Sequence, residues 1–160
     1  MENGDARQAM SFRGTFDYTL DGRYRLPLPP RYRDLFTDGA VLVSGVEPCV
    51  LIYTQEGFED AERKARAIPE ETDTGREALR DFFSSAFDAD RDNQGRILIP
   101  EKLRTHAALD KAVALVGVGD FLEIWDRDTW AEREEARKSA RKGETEALGA
   151  RRAIVAEGVR

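Results

Sequence analysis

The sequence predicts an α+β fold built from one small module written twice. Three observations carry this. The chain matches itself at a separation of 71 residues. Each copy holds a short alternating segment that ends in proline. Between the copies, apolar residues recur at helical spacing.

The repeat is plainest where Phe16–Arg33 is laid over Phe87–Arg104. Phe16/Phe87, Asp17/Asp88, Asp21/Asp92, Arg25/Arg96, Pro29/Pro100 and Arg33/Arg104 are identical, and Leu26/Ile97 and Leu28/Ile99 are conservative. In each copy a strand ends near Leu20 or Arg91. A polar turn follows, then a strand of alternating pattern, Arg25–Leu28 or Arg96–Ile99. Proline then opens a helix, where its missing N–H costs nothing, predicting helices over Pro29–Phe36 and Pro100–Leu109. Strand pairs follow, Ala40–Ser44 with Val50–Tyr53 and Ala112–Val116 with Phe121–Trp125, punctuated by Gly45 and Pro48 or by Gly117 and Gly119. A second helix closes each copy, opening near Phe58 or Trp130, with Glu56 and Asp128 placed to suit the helix dipole. After the polar break Pro69–Gly75, Leu79, Phe82, Phe83, Ala86 and Phe87 predict an amphipathic helix, whose stripe serves either the core or a partner. The predicted organisation is an N-terminal extension over residues 1–11, a first module over 12–68, a linker and helix over 69–86, a second module over 87–141 and a loose tail over 142–160. Met10 is a second candidate start, two residues before the pattern begins.

Composition narrows the function. With 160 residues, 41% hydrophobic and 35% charged, the chain can bury a modest core. Its apolar runs fall far short of the roughly 20 residues a membrane span needs, and no secretory leader opens it, so the expected compartment is the cytoplasm. A single cysteine, Cys49, excludes an internal disulfide and a cysteine-built metal cluster, and a single histidine, His106, leaves little for a zinc site. Cys49 falls in an apolar strand and His106 on a short helix, so a thiolate–imidazole catalyst is not expected. No glycine-rich phosphate loop follows a strand. Neither a catalytic residue, a metal, a cofactor nor a small-molecule substrate is expected.

The repeated polar feature is Asp-x-x-x-Arg at a strand–turn–strand junction, Asp21…Arg25 and Asp92…Arg96. Aspartate accepts backbone N–H groups and shapes a tight turn. Arginine leaves it with a forked donor array that suits phosphate or a guanine edge. The same spacing also suits an ion pair that merely stiffens a hairpin. Arg23 lies inside the first turn, and Asn93 and Gln94 inside the second.

These residues resemble the MraZ family, bacterial transcription regulators built from two SpoVT/AbrB-like modules. The matching residues are Phe12-Arg13-Gly14; Leu20-Asp21 through Arg25-Leu26, with Pro29 and Arg31-Tyr32-Arg33; Asp92 through Gly95-Arg96-Ile97-Leu98-Ile99, with Leu103-Arg104 and His106-Ala107; and Leu115-Val116-Gly117 to Glu123-Ile124-Trp125-Asp126 and Trp130. The resemblance implies a duplicated swapped-hairpin, AbrB-like β-barrel with flanking helices. It also implies a ring-shaped homo-oligomer on repeated promoter boxes of double-stranded DNA, upstream of division and cell-wall genes and associated with the nucleoid. By the same resemblance, Arg25 and Arg96 make the principal DNA contacts, assisted by Arg23, Gln94 and Arg13, while Asp21, Asp92 and Gly95 shape the turns. One departure stands out. The family carries glycine before the arginine in both copies, as at Gly95, but the first copy has Tyr24. Because tyrosine resists a left-handed backbone, the first turn is expected to differ in shape.

The net charge of −6 excludes a uniformly basic surface but not a local one. Residues 54–92 carry twelve acids against six bases, whereas residues 10–33 carry five arginines against two aspartates. A second basic cluster, Arg137, Lys138, Arg141, Lys142, Arg151 and Arg152, is read as a solvated tail or a contact to the DNA backbone. The alternative to a DNA-binding regulator is an antitoxin-like or structural protein-interaction module using that tail.

Overall fold

The computed structural model describes residues 11–158. The expectations for the extreme N-terminus, including a start at Met10, lie outside the described residues. Two units are distinguished, one up to Arg127 and one from Asp128 onward.

In the first unit the strands are β1 (Thr15–Thr19), β2 (Arg25–Pro27), β3 (Ala40–Ser44), β4 (Val50–Thr54), β5 (Phe87–Ala89), β6 (Arg96–Leu98), β7 (Ala112–Gly117) and β8 (Leu122–Asp126). The helices are α1 (Gln55–Arg66), α2 (Asp73–Ser84) and α3 (Glu101–His106), with a 3-10 turn at Arg33–Phe36. Six strands form one sheet in the order β1-β7-β8-β4-β3-β5, and β2 and β6 form a separate ribbon. All pairings are antiparallel.

The order discloses an exchange. The hairpin of the first copy, β3–β4, is edged by the second copy's first strand, with Leu42 facing Phe87 and Ala40 facing Ala89. The hairpin of the second copy, β7–β8, is edged by the first copy's first strand, with Phe16 facing Leu115 and Tyr18 facing Val113. The hairpins join through Val50–Ile124 and Ile52–Leu122. The ribbon is also made between copies, Leu26 facing Ile97.

The expected closed barrel is not what these strands build; they form an open sheet and a ribbon. The ribbon strands are three residues each, and Pro27, Pro29 and Pro30 remove the N–H donors that would extend their ladder. Leu26, Leu28, Ile97 and Ile99 are fully buried, in one cluster with Leu42, Ile52, Leu115 and Ile124. Sheet alternation sends Val41, Val43 and Tyr53 to the opposite face, where they meet Phe58 and Ala61 of α1 and Phe82 of α2.

Both prolines open a helical turn as expected: the Pro29 carbonyl accepts from Tyr32 and Arg33, and the Pro100 carbonyl accepts from Leu103 and Arg104. The first copy manages only the 3-10 turn, while the second forms α3. The helix expected to run on to Phe87 stops at Ser84, because Phe87 pairs into the sheet opposite Leu42. Phe82 and Ala86 pack on the second cluster, while Phe83 stays 37% exposed. Thr54 and Thr72 cap α1 and α2 by accepting from Gly57 and Gly75 N–H groups.

The second unit is the body of α4 (Arg127–Gly158). The stretch from Lys142 to Gly158, expected to be a loose tail, is helical. Its alanines, glutamates and arginines are good helix formers, and the Arg137 guanidinium lies 4.8 Å from the Trp130 ring two turns earlier. No described helix is long and apolar enough to cross a membrane.

Candidate nucleic-acid interface

The two Asp-x-x-x-Arg turns are built alike, atom for atom. In the first, the Asp21 carbonyl accepts from Tyr24 N–H at 3.0 Å and Asp21 N–H donates to the Arg25 carbonyl at 3.1 Å. Asp21 Oδ1 accepts from Arg23 and Arg25 N–H at 2.8 and 2.9 Å. In the second, the Asp92 carbonyl accepts from Gly95 N–H at 3.0 Å and Asp92 N–H donates to the Arg96 carbonyl at 2.9 Å. Asp92 Oδ1 accepts from Gln94 and Arg96 N–H, both at 2.9 Å. The expected difference in shape is therefore absent. Tyr24 adopts φ 59°, close to the 73° of Gly95.

The turns converge because the ribbon runs antiparallel. Leu28 N–H donates to the Gly95 carbonyl and Ile99 N–H to the Tyr24 carbonyl, so each turn is tied to the strand leaving the other. Four charged side chains then interlock. Arg25 Nε donates to Asp21 Oδ2 at 2.7 Å, and Arg96 Nε to Asp92 Oδ2 at 3.0 Å. The same carboxylate oxygens receive the opposite arginines at longer range, Arg25 Nη1 to Asp92 at 3.5 Å and Arg96 Nη1 to Asp21 at 3.3 Å. The arginine side chains are 28% and 23% exposed, so the cluster lies at the surface rather than in the core. Donation by the Arg25 N–H, seconded by Arg23 N–H and the Arg25 guanidinium, holds the Asp21 carboxyl down at about 2. The Arg96 N–H lowers Asp92 in the same way, joined by Gln94 N–H and the Arg96 guanidinium.

A further layer covers each turn from the other copy. Arg33 lies against Gly95, donating Nη2 to the Leu28 carbonyl at 3.2 Å. Arg104 occupies the corresponding place on the first turn, donating Nε to the Ile99 carbonyl at 3.0 Å with Cζ 3.7 Å from the Tyr24 ring. Lys111 Nζ sits 3.6 Å from the same ring and donates to the Asp21 carbonyl at 3.0 Å. A cation thus approaches Tyr24 from each of two neighbouring elements, which offsets the cost of its left-handed backbone.

Of the residues the sequence singled out, Asp21, Arg25, Asp92 and Arg96 come together in the cluster, and Gly95 lies beneath Arg33. Arg23, Asn93 and Gln94 are exposed on the turns. Arg13 is exposed on a different segment, its backbone N–H donating to the Tyr32 hydroxyl at 3.0 Å. Cys49 is buried, its Sγ 3.7 Å from Glu123 Oε2, and His106 Nε2 lies 2.9 Å from the Gly45 carbonyl oxygen. Among the described residues no group of three or more His, Cys, Asp and Glu side chains is arranged to hold a metal ion. Sequence reasoning passed over Arg33 and Arg104 as site residues, although their identity across the repeat was visible. Lys111 has no such signal.

Comparison with known proteins gives a consistent picture. Residues 11–81 and 82–151 each match the family model described as "MraZ protein, putative antitoxin-like". A relative from Moorella thermoacetica is 39% identical over 121 residues, covering 76% of this chain and 85% of its own. One from Ligilactobacillus salivarius is 40% identical over 119 residues, covering 74% and 83%. Both relatives are named "Transcriptional regulator MraZ".

Proposed function

The chain belongs to the MraZ family of transcriptional regulators, and from that membership we propose that it binds double-stranded promoter DNA sequence-specifically through its two Asp-x-x-x-Arg turns. It acts in the cytoplasm at the nucleoid, as a ring-shaped homo-oligomer on repeated boxes upstream of division and cell-wall genes. Residues 12–68 and 87–141 serve as two AbrB-like modules with exchanged hairpins; the exchange of β1 and β5 supports this.

The observation that carries the reading is the reciprocal pairing of Arg25 and Arg96 with Asp21 and Asp92. Each guanidinium is anchored through Nε by its own aspartate. The contacts to the opposite aspartate are long and easily exchanged. That leaves the outer edges of two neighbouring forks to meet a guanine edge or a phosphate. Arg23 and Gln94 flank them, one supplying charge and the other an amide able to read a base. Repetition of the pair around a ring multiplies a modest affinity.

The test is a mobility shift on the duplex upstream of the chain's own gene against a scrambled duplex of equal length. Preference for the upstream duplex supports the reading, and equal binding to both removes its sequence-specific element. A protein-interaction role has one observation in its favour, the exposed Leu148, Ile154 and Val155 on α4. A chain that shifts no duplex at low salt would turn the account toward that role.

A further inference from the structure

The four-residue cluster is electrically balanced, two arginines against two aspartates. It reads at short range and exerts little long-range pull on DNA. The pull comes from charges around the cluster, and these differ between the copies. Beside the first turn, Lys111 Nζ is held by the Asp21 carbonyl and the Tyr24 ring face. Neither partner carries a formal negative charge, and an ammonium has three N–H donors. The register gives the residue of the first copy that corresponds to Lys111 in sequence. Tyr18 faces Val113 as Ala89 faces Ala40. Counting back two residues sets Lys111 in the second copy against Asp38 in the first. Inside the turns, Arg23 corresponds to Gln94. The first turn is thus flanked by Arg23, Arg104 and Lys111, whereas the second has Gln94 in place of Arg23 and, of these cations, keeps only Arg33, the counterpart of Arg104.

We infer that Lys111 is a DNA phosphate contact, and that the two turns divide the work: the first, with Lys111 and Arg23, grips the backbone, while the second, with Gln94, reads bases. Tyr24 is the positioning residue for Lys111, and glycine at that place would give the ammonium no platform. The inference rests on the DNA-binding reading above.

Fluorescence anisotropy on the full chain, with the upstream and scrambled duplexes over a range of KCl, tests it. Removing one phosphate partner makes the log–log salt slope shallower by about 0.9. Lys111→Gln should show that change for each lysine engaged, weaken both duplexes by the same factor, and leave their affinity ratio unchanged. Lys111→Arg should restore the wild-type slope, which a merely disturbed turn would not allow. Gln94→Ala should do the opposite, keeping the slope and lowering the ratio. Wild-type binding with an unchanged slope in Lys111→Gln, or a slope that Lys111→Arg fails to restore, overturns the inference alone. Wild type that binds no duplex overturns the DNA reading itself.

Discussion

Arg33 lies so closely over Gly95 that a β-carbon at residue 95 would collide with its Nε and Cδ. Residue 95 also has φ +73°, where side chains are strained. Gly95→Ala therefore meets two penalties together and should cost about 1–3 kcal/mol in denaturant unfolding. Tyr24→Gly at the matching position relieves the backbone but removes the ring that Arg104 and Lys111 approach, so its stability should change by no more than about 1 kcal/mol. A tolerant residue 95 would mean that Arg33 moves freely aside.

The aspartates make the turns acid-sensitive in a defined window. The Asp21 carboxyl sits at about 2 in the folded chain and near 3.9 when unfolded. Between those values the unfolded chain takes up the proton more readily. The contribution is complete above about pH 4 and is lost as pH falls toward 2. Asp21→Asn should flatten the fall of unfolding free energy with pH in that window, measured by urea titration. An unaltered pH profile would show that Asp21 is not linked to folding.

The exchange of first strands makes folding a joint property of the copies. A fragment ending at Ala86 lacks β5, the edge strand of its own hairpin, and β6, the partner of β2. It should show no cooperative melt alone, and the remaining segment, added in trans, should restore one. Independent cooperative melting would contradict the cross-copy pairing.

The core of the ribbon allows a simpler check. Leu26 and Ile97 face each other and are fully buried, so Ile97→Ala should cost about 2–5 kcal/mol. Leu98→Ala, one residue on and 53% exposed, should be nearly silent in the same thermal unfolding experiment.

Much of this was legible in the residues. The identities from Phe16/Phe87 to Arg33/Arg104 revealed the duplication, and sheet periodicity located Ala40–Ser44 and Val50–Thr54 within a residue. No local pattern encodes the strand exchange, because pairing Phe16 with Leu115 is a long-range choice; pairing between the copies was expected from the family resemblance alone. Phe87 fits a helical stripe as well as a strand, and sheet pairing decided between them. The shape of the first turn was misread because Tyr24 was judged by its intrinsic preference, whereas Arg104 and Lys111, remote in sequence, stabilise its backbone. The helix after Lys142 was missed because it has no sustained apolar face, although its composition favours helix.

The most direct measurement of the central claim is the affinity of Arg25→Ala plus Arg96→Ala for the upstream duplex, with native mass recorded alongside. Each bidentate contact to a base is worth about 1–3 kcal/mol. The double variant should therefore weaken binding roughly 5-fold or more from the Arg96 base contact alone, with the loss of the Arg25 contact adding to it, at unchanged native mass. Wild-type affinity in the double variant would contradict the account.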